Sequence, residues 1–132
     1  MPAMFVSWWA LVIWAASVVA FSTMLHEFGH AWAARAVGWR VVGLRWRWYG
    51  MAFVADTAGQ PEKVWKVALG GLSSTAAVAL VSLAGTTLPE PASFLFGFAF
   101  TLNAALLLTN LVPLPQLDGG QVVSGIRRSW SR

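Results

Sequence analysis

The chain has 132 residues, of which 58% are hydrophobic and 11% charged, with no cysteine. Soluble domains carry about 25% charged residues, so a water-soluble module is excluded and a single membrane domain over residues 1–132 is expected. The missing cysteine rules out disulfides, thiolate zinc sites and a cysteine nucleophile.

The formal charge of +4 does not point to nucleic acid, because of its layout. Arg35, Arg40, Arg45, Arg47, Lys63 and Lys66 flank one connection, and Arg127, Arg128 and Arg132 close the chain. Trp39, Trp46, Trp48, Trp65 and Trp130 are interleaved with them, as at the headgroup level of a bilayer.

A first helix is expected over residues 4–37, stopped by Gly38. The start of the chain lacks a positive n-region and its apolar run outlasts an h-region, which reads as a retained span. At ~1.5 Å per residue this helix is ~50 Å long, more than the ~30 Å hydrocarbon core. Within it lies His26-Glu27-Phe28-Gly29-His30, holding the only two histidines of the chain. Residues four apart share a helix face, so both imidazoles can reach one metal ion, with Glu27 beside them as a proton acceptor. No other ionisable residue occurs between Ala3 and Ala34. Ionisable groups at membrane depth mark function by default. Arg35 closes the helix, which puts the motif below, but near, one surface.

Residues 41–55 change to a two-residue period, with Leu44, Trp46 and Trp48 alternating with Arg45, Arg47 and Tyr49. A small β-hairpin is expected, turning at Gly50 and returning over Met51 to Ala55. A second helix runs from Pro61 to Leu83, Pro and Glu62 being favoured in a first turn. A third runs from Ser93 to Asn110. It is broken by Pro113, Pro115, Gly119 and Gly120 before a closing helix over Gln121 to Ser129. The fold class is thus an all-α membrane protein: a three-helix transmembrane core with a broken third helix, a short C-terminal helix and a β-hairpin.

The first connection carries six Lys/Arg, the second none and the tail three. This predicts an outside N-terminus, a cytoplasmic first connection and a cytoplasmic C-terminus. Both polar motifs then reach the same leaflet. A hydrolytic zinc site has three protein ligands and an open position. Of the other acidic residues, Glu90 belongs to the opposite face, and Asp56 and Glu62 to the surface connection. Asp118 alone sits in broken backbone at the right depth, which is tolerated where it lines a cavity, and is the expected third ligand. Asn103 reads as structural, and Gly70, Ser73 and Ser74 as a close-packing surface.

His26-Glu27-Phe28-Gly29-His30 and Asn110-x-x-Pro113-x-Pro115-x-Leu117-Asp118-Gly119-Gly120 together resemble the two motifs of the site-2 protease family of intramembrane zinc metalloproteases. Gly70-Gly71-Leu72-Ser73-Ser74 is similar to that family's small-residue motif. The resemblance implies one Zn²⁺ per chain on His26, His30 and Asp118, with Glu27 as general base and Asn110 positioning the scissile carbonyl. It further implies a transmembrane protein as substrate and a prokaryotic cell membrane as location. The chain departs from many relatives in having only the core helices and a single Gly50 after the first helix. Rival readings are a metal-containing membrane protein that binds clients without cleaving them, a protease of the Ste24/HtpX type and a metal carrier. The second lacks a downstream glutamate ligand, and the third would spread its ligands along a path. The sequence names neither the substrate nor the oligomeric state.

Overall fold

A computed structural model describes residues 7–47 and 50–131. Its elements are α1 (Trp8–Ala36), β1 (Arg40–Arg47), β2 (Gly50–Asp56), a 3₁₀ turn (Pro61–Lys63), α2 (Val64–Gly85), α3 (Ala92–Leu111) and α4 (Asp118–Trp130). Three helical segments, Trp8–Ala36, Pro61–Gly85 and Ala92–Leu111, are long and apolar enough to cross a membrane. Expected residues 4–6 of the first helix lie outside the described residues.

Ser7 caps α1, its hydroxyl accepting the Ala10 N–H. The other end stops at Gly38, whose φ of +90° is cheap only for glycine. Its neighbour Val37 has its carbonyl taken by Lys63 Nζ at 3.0 Å. The buried residues of α1 are Val18, Ser22, His26, His30 and Ala34, one every four positions. Its outer faces carry Trp8, Trp9, Phe28 and Trp32, all more than 60% exposed. In water such surface would be a liability, whereas lipid covers it at no cost.

α2 is the central element, packed against α1, α3 and α4. Small residues set each approach. At the α1 crossing Gly29 and Gly70 meet backbone to backbone, and a Cβ on Gly70 would collide with the Gly29 carbonyl. Gly85 of α2 faces the Phe96 ring of α3, and Gly125 of α4 faces Trp65 of α2.

The strands form an antiparallel pair in which Leu44 opposes Phe53 and Trp46 opposes Met51, with a bulge between Val41 and Gly43. Phe53, Ala55 and Val41 pack on Ala34, Trp39 and Val67, which ties the hairpin to the end of α1 and the start of α2. Two expectations are corrected here. Gly50 opens β2 rather than forming the turn, because the ladder pairs it with Arg47; residues 48 and 49 between the strands lie outside the described residues. The closing helix begins at Asp118, not Gln121. Gly119 and Gly120 are helical, and lie so close to the Leu111, Val112 and Leu114 carbonyls that a side chain would collide with them. Their role is close approach, not helix breaking.

The third helix thus ends at Leu111, turns through residues 112–117 and resumes as α4. Leu111 and Gly119 touch at the turn, so α4 starts from the depth at which α3 stops. It then runs outward along α2 to Trp65.

Candidate metal centre

His26 and His30 lie on the buried stripe of α1, facing α2 and the first residue of α4. His26 Nε2 and His30 Nε2 are 3.0 Å apart. Asp118 Oδ2 lies 3.2 Å from the first and Asp118 Oδ1 3.3 Å from the second. All three residues are 5–7% exposed. Asp118 opens α4, where the helix dipole favours a carboxylate.

The far side of each imidazole fixes its proton. His30 Nδ1 is 2.9 Å from the Val67 carbonyl, which can only accept, so Nδ1–H donates. His26 Nδ1 is 2.8 Å from Thr75 Oγ1. The Thr75 hydroxyl already donates to the Gly71 carbonyl at 3.1 Å, so it accepts from His26. Neutral imidazoles in these tautomers turn both Nε2 lone pairs inward, toward the Asp118 carboxylate. Three acceptors then face one another, and Asp118 Oδ2 is buried without a hydrogen bond. Such a cluster is relieved by a proton or a metal cation placed among its members.

Zinc fits. Bonds of about 2.0–2.1 Å to a tetrahedral ion place ligand atoms about 3.3 Å apart, close to the spacing of the three side chains. Two nitrogens and one carboxylate form a borderline donor set suited to Zn²⁺ and leave a fourth position open.

Glu27 borders this cluster, its carboxylate oxygen lying within 4.8 Å of the ligand nitrogens of both histidines. Its Oε2 accepts the Phe53 backbone N–H at 3.0 Å. That N–H points away from β1, so the outer edge of β2 faces Glu27. The Phe53 ring stacks on His30 with centroids 5.6 Å apart. Gly71 leaves room for the same imidazole, since a Cβ there would overlap the ring.

Asp56 and Glu90 stand apart. Asp56 is exposed and accepts the Ala58 N–H in its own turn, and Glu90 is exposed at the opposite end of the bundle. Asn110 sits half-buried in the last turn of α3, its Nδ2 donating to the Leu106 carbonyl at 3.0 Å rather than to any member of the cluster. Asn103 is 1% exposed and donates to the Ala99 carbonyl within its own helix. Thr75, the Val67 carbonyl and the Phe53 N–H were not among the residues singled out from sequence, and Gly71 entered only as part of the small-residue motif. Of the first three, only Thr75 carried a signal, a hydroxyl four residues after Gly71 on a face otherwise apolar but for Ser82.

A pair of histidines on one helix, a carboxylate from a second and a pinned glutamate beside them form a group that could hold a metal ion. The chain belongs to peptidase family M50, the site-2 protease family, whose model matches residues 51–132. That match includes Asp118 and lies wholly after the histidine helix. Among curated proteins, the chain is 32% identical over 126 residues to "Putative zinc metalloprotease sll0528" of Synechocystis, covering 89% of this chain and 32% of that protein. It is 30% identical over 125 residues to "Putative zinc metalloprotease Rip3" of Mycobacterium tuberculosis, with the same coverage. The chain therefore spans about a third of the length of these relatives. No solved structure matches it.

Proposed function

We propose that the chain is the core of a zinc-dependent endopeptidase that cleaves membrane proteins within or near their transmembrane segments. The observation that carries this reading is the convergence of His26, His30 and Asp118 beside a glutamate held by β2. Family membership and the apolar helices support it.

His26, His30 and Asp118 would hold the metal, which when bound supplies Lewis acidity to a peptide carbonyl and acidifies the attacking water. Glu27 takes the proton as that water adds to the carbonyl, then delivers it to the leaving amine. Phe53 N–H keeps the Glu27 carboxylate from swinging onto the metal ligands. The tautomers set by Thr75 and Val67 keep both Nε2 atoms available. Asn110 is assigned to the substrate carbonyl, for which its amide must leave the Leu106 carbonyl. A helical substrate hides its carbonyls, so it must unwind, and the outer edge of β2 offers backbone groups with which an extended segment can pair.

Reconstituted protein should cut a single-span reporter. A chelator should stop cleavage and added Zn²⁺ restore it; cleavage indifferent to chelation would remove the metalloprotease reading.

The site lies toward the end of α1 that carries Arg35. His30 is six residues from Ala36, about 9 Å along the axis. With six basic residues in and flanking the adjoining connection, that end is assigned to the cytoplasm and the N-terminus to the outside. A Gln60→Cys variant, in a chain with no other cysteine, should resist an impermeant thiol reagent added to intact cells. Labelling from outside would reverse the topology.

A further inference from the structure

A groove of about 410 Å³ runs along one face of α4. One wall is Pro113 and Pro115; the other is Gly120, Val123, Ser124 and then Arg127 and Arg128. Its position in the fold gives it a direction. Gly120 is two residues from Asp118 and so lies at the depth of the metal cluster. Arg127 and Arg128 follow seven and eight residues later, about 11–12 Å further along the axis. They emerge beyond Gly125, which packs on Trp65 near the start of α2.

The deep end of the groove is therefore apolar and its surface end cationic. Val123 is 57% exposed there. Both arginines are exposed at that end. A free phosphate would satisfy the arginines and leave the proline and valine wall bare. A zwitterionic headgroup would bring a cation of its own against the two guanidinium groups. An anionic amphiphile matches both ends and matches the depth at which each lies.

We propose that this groove seats one anionic phospholipid, its phosphodiester on Arg127 and Arg128 and an acyl chain along Pro113, Pro115 and Val123. The inference rests on the membrane-embedded reading above, and not on catalysis. The lipid would brace the outer end of α4, the helix whose first residue is Asp118.

Native mass spectrometry of the full chain, released from detergent with phosphatidylglycerol or phosphatidylcholine, tests it. Wild-type protein should retain one phosphatidylglycerol in preference to phosphatidylcholine, and millimolar inorganic phosphate should not displace it. The R127Q/R128Q variant should lose this retention by on the order of tenfold, whereas R127K/R128K, which keeps the charge, should hold most of it. Val123→Phe should weaken retention with both arginines in place. Arg45→Gln, a charge change on the exposed β1, should leave it unaltered. Equal retention of the two lipids, equal loss in the Arg45 control, or displacement by inorganic phosphate would each overturn the proposal. So would displacement by a transmembrane peptide without lipid preference, which would assign the groove to substrate.

Discussion

Glu27→Gln should reduce cleavage by about 10²–10⁴-fold, the usual contribution of a positioned general base, while zinc content stays at the wild-type level. Glutamine keeps the size of the side chain and its carbonyl oxygen can still accept the Phe53 N–H, so the hairpin contact at 3.0 Å survives. What is lost is the ability to take and return a proton. His26, His30 and Asp118 are untouched, hence the unchanged metal. Turnover and zinc content measured on one preparation separate the two effects. Wild-type turnover in this variant would end the general-base role, whereas loss of zinc would show that Glu27 helps hold the metal.

Gly71→Ala should lower zinc affinity by about tenfold or more and take activity with it. The added methyl would collide with the His30 ring, and that ring has nowhere to go. Its Nδ1 is tied to the Val67 carbonyl at 2.9 Å, its Nε2 lies 3.3 Å from Asp118, and Phe53 is stacked beside it. Overpacking of this kind costs about 1–3 kcal/mol, more than the gain of up to about 1 kcal/mol from replacing glycine by alanine in a helix. Gly43→Ala is the matched control, because a Cβ at Gly43 meets nothing within 4 Å. Zinc titration of both variants checks this. Unchanged affinity in Gly71→Ala would mean that His30 is not held as described.

The long apolar helices were legible because long apolar runs admit few arrangements, and Pro61 and Gly38 punctuate them from local chemistry. Candidate ligands were legible for a related reason: in a chain this apolar, His26, Glu27, His30 and Asp118 have few other roles. Glycine was the misleading letter. At Gly119 and Gly120 it reads as a break, yet it admits the carbonyls of Leu111 and Leu114. Gly50 reads as a turn and instead pairs with Arg47. These functions are set by tertiary contact, which no local pattern carries. For the same reason the partners of the site were invisible. That Phe53 N–H meets Glu27 depends on which edge of β2 faces α1. That Thr75 meets His26 depends on the rotation of α2. Asn110 shows the converse, a motif residue whose amide is bonded within its own helix.

The central claim is that two histidines of α1 and the first residue of α4 hold one metal ion, and zinc per chain addresses it most directly. Elemental analysis of detergent-purified protein should find close to one zinc in wild type and a clear loss in Asp118→Ala, which removes the carboxylate that faces both imidazoles. Well-folded wild-type protein without zinc, or an Asp118→Ala variant that keeps its full complement, would contradict it.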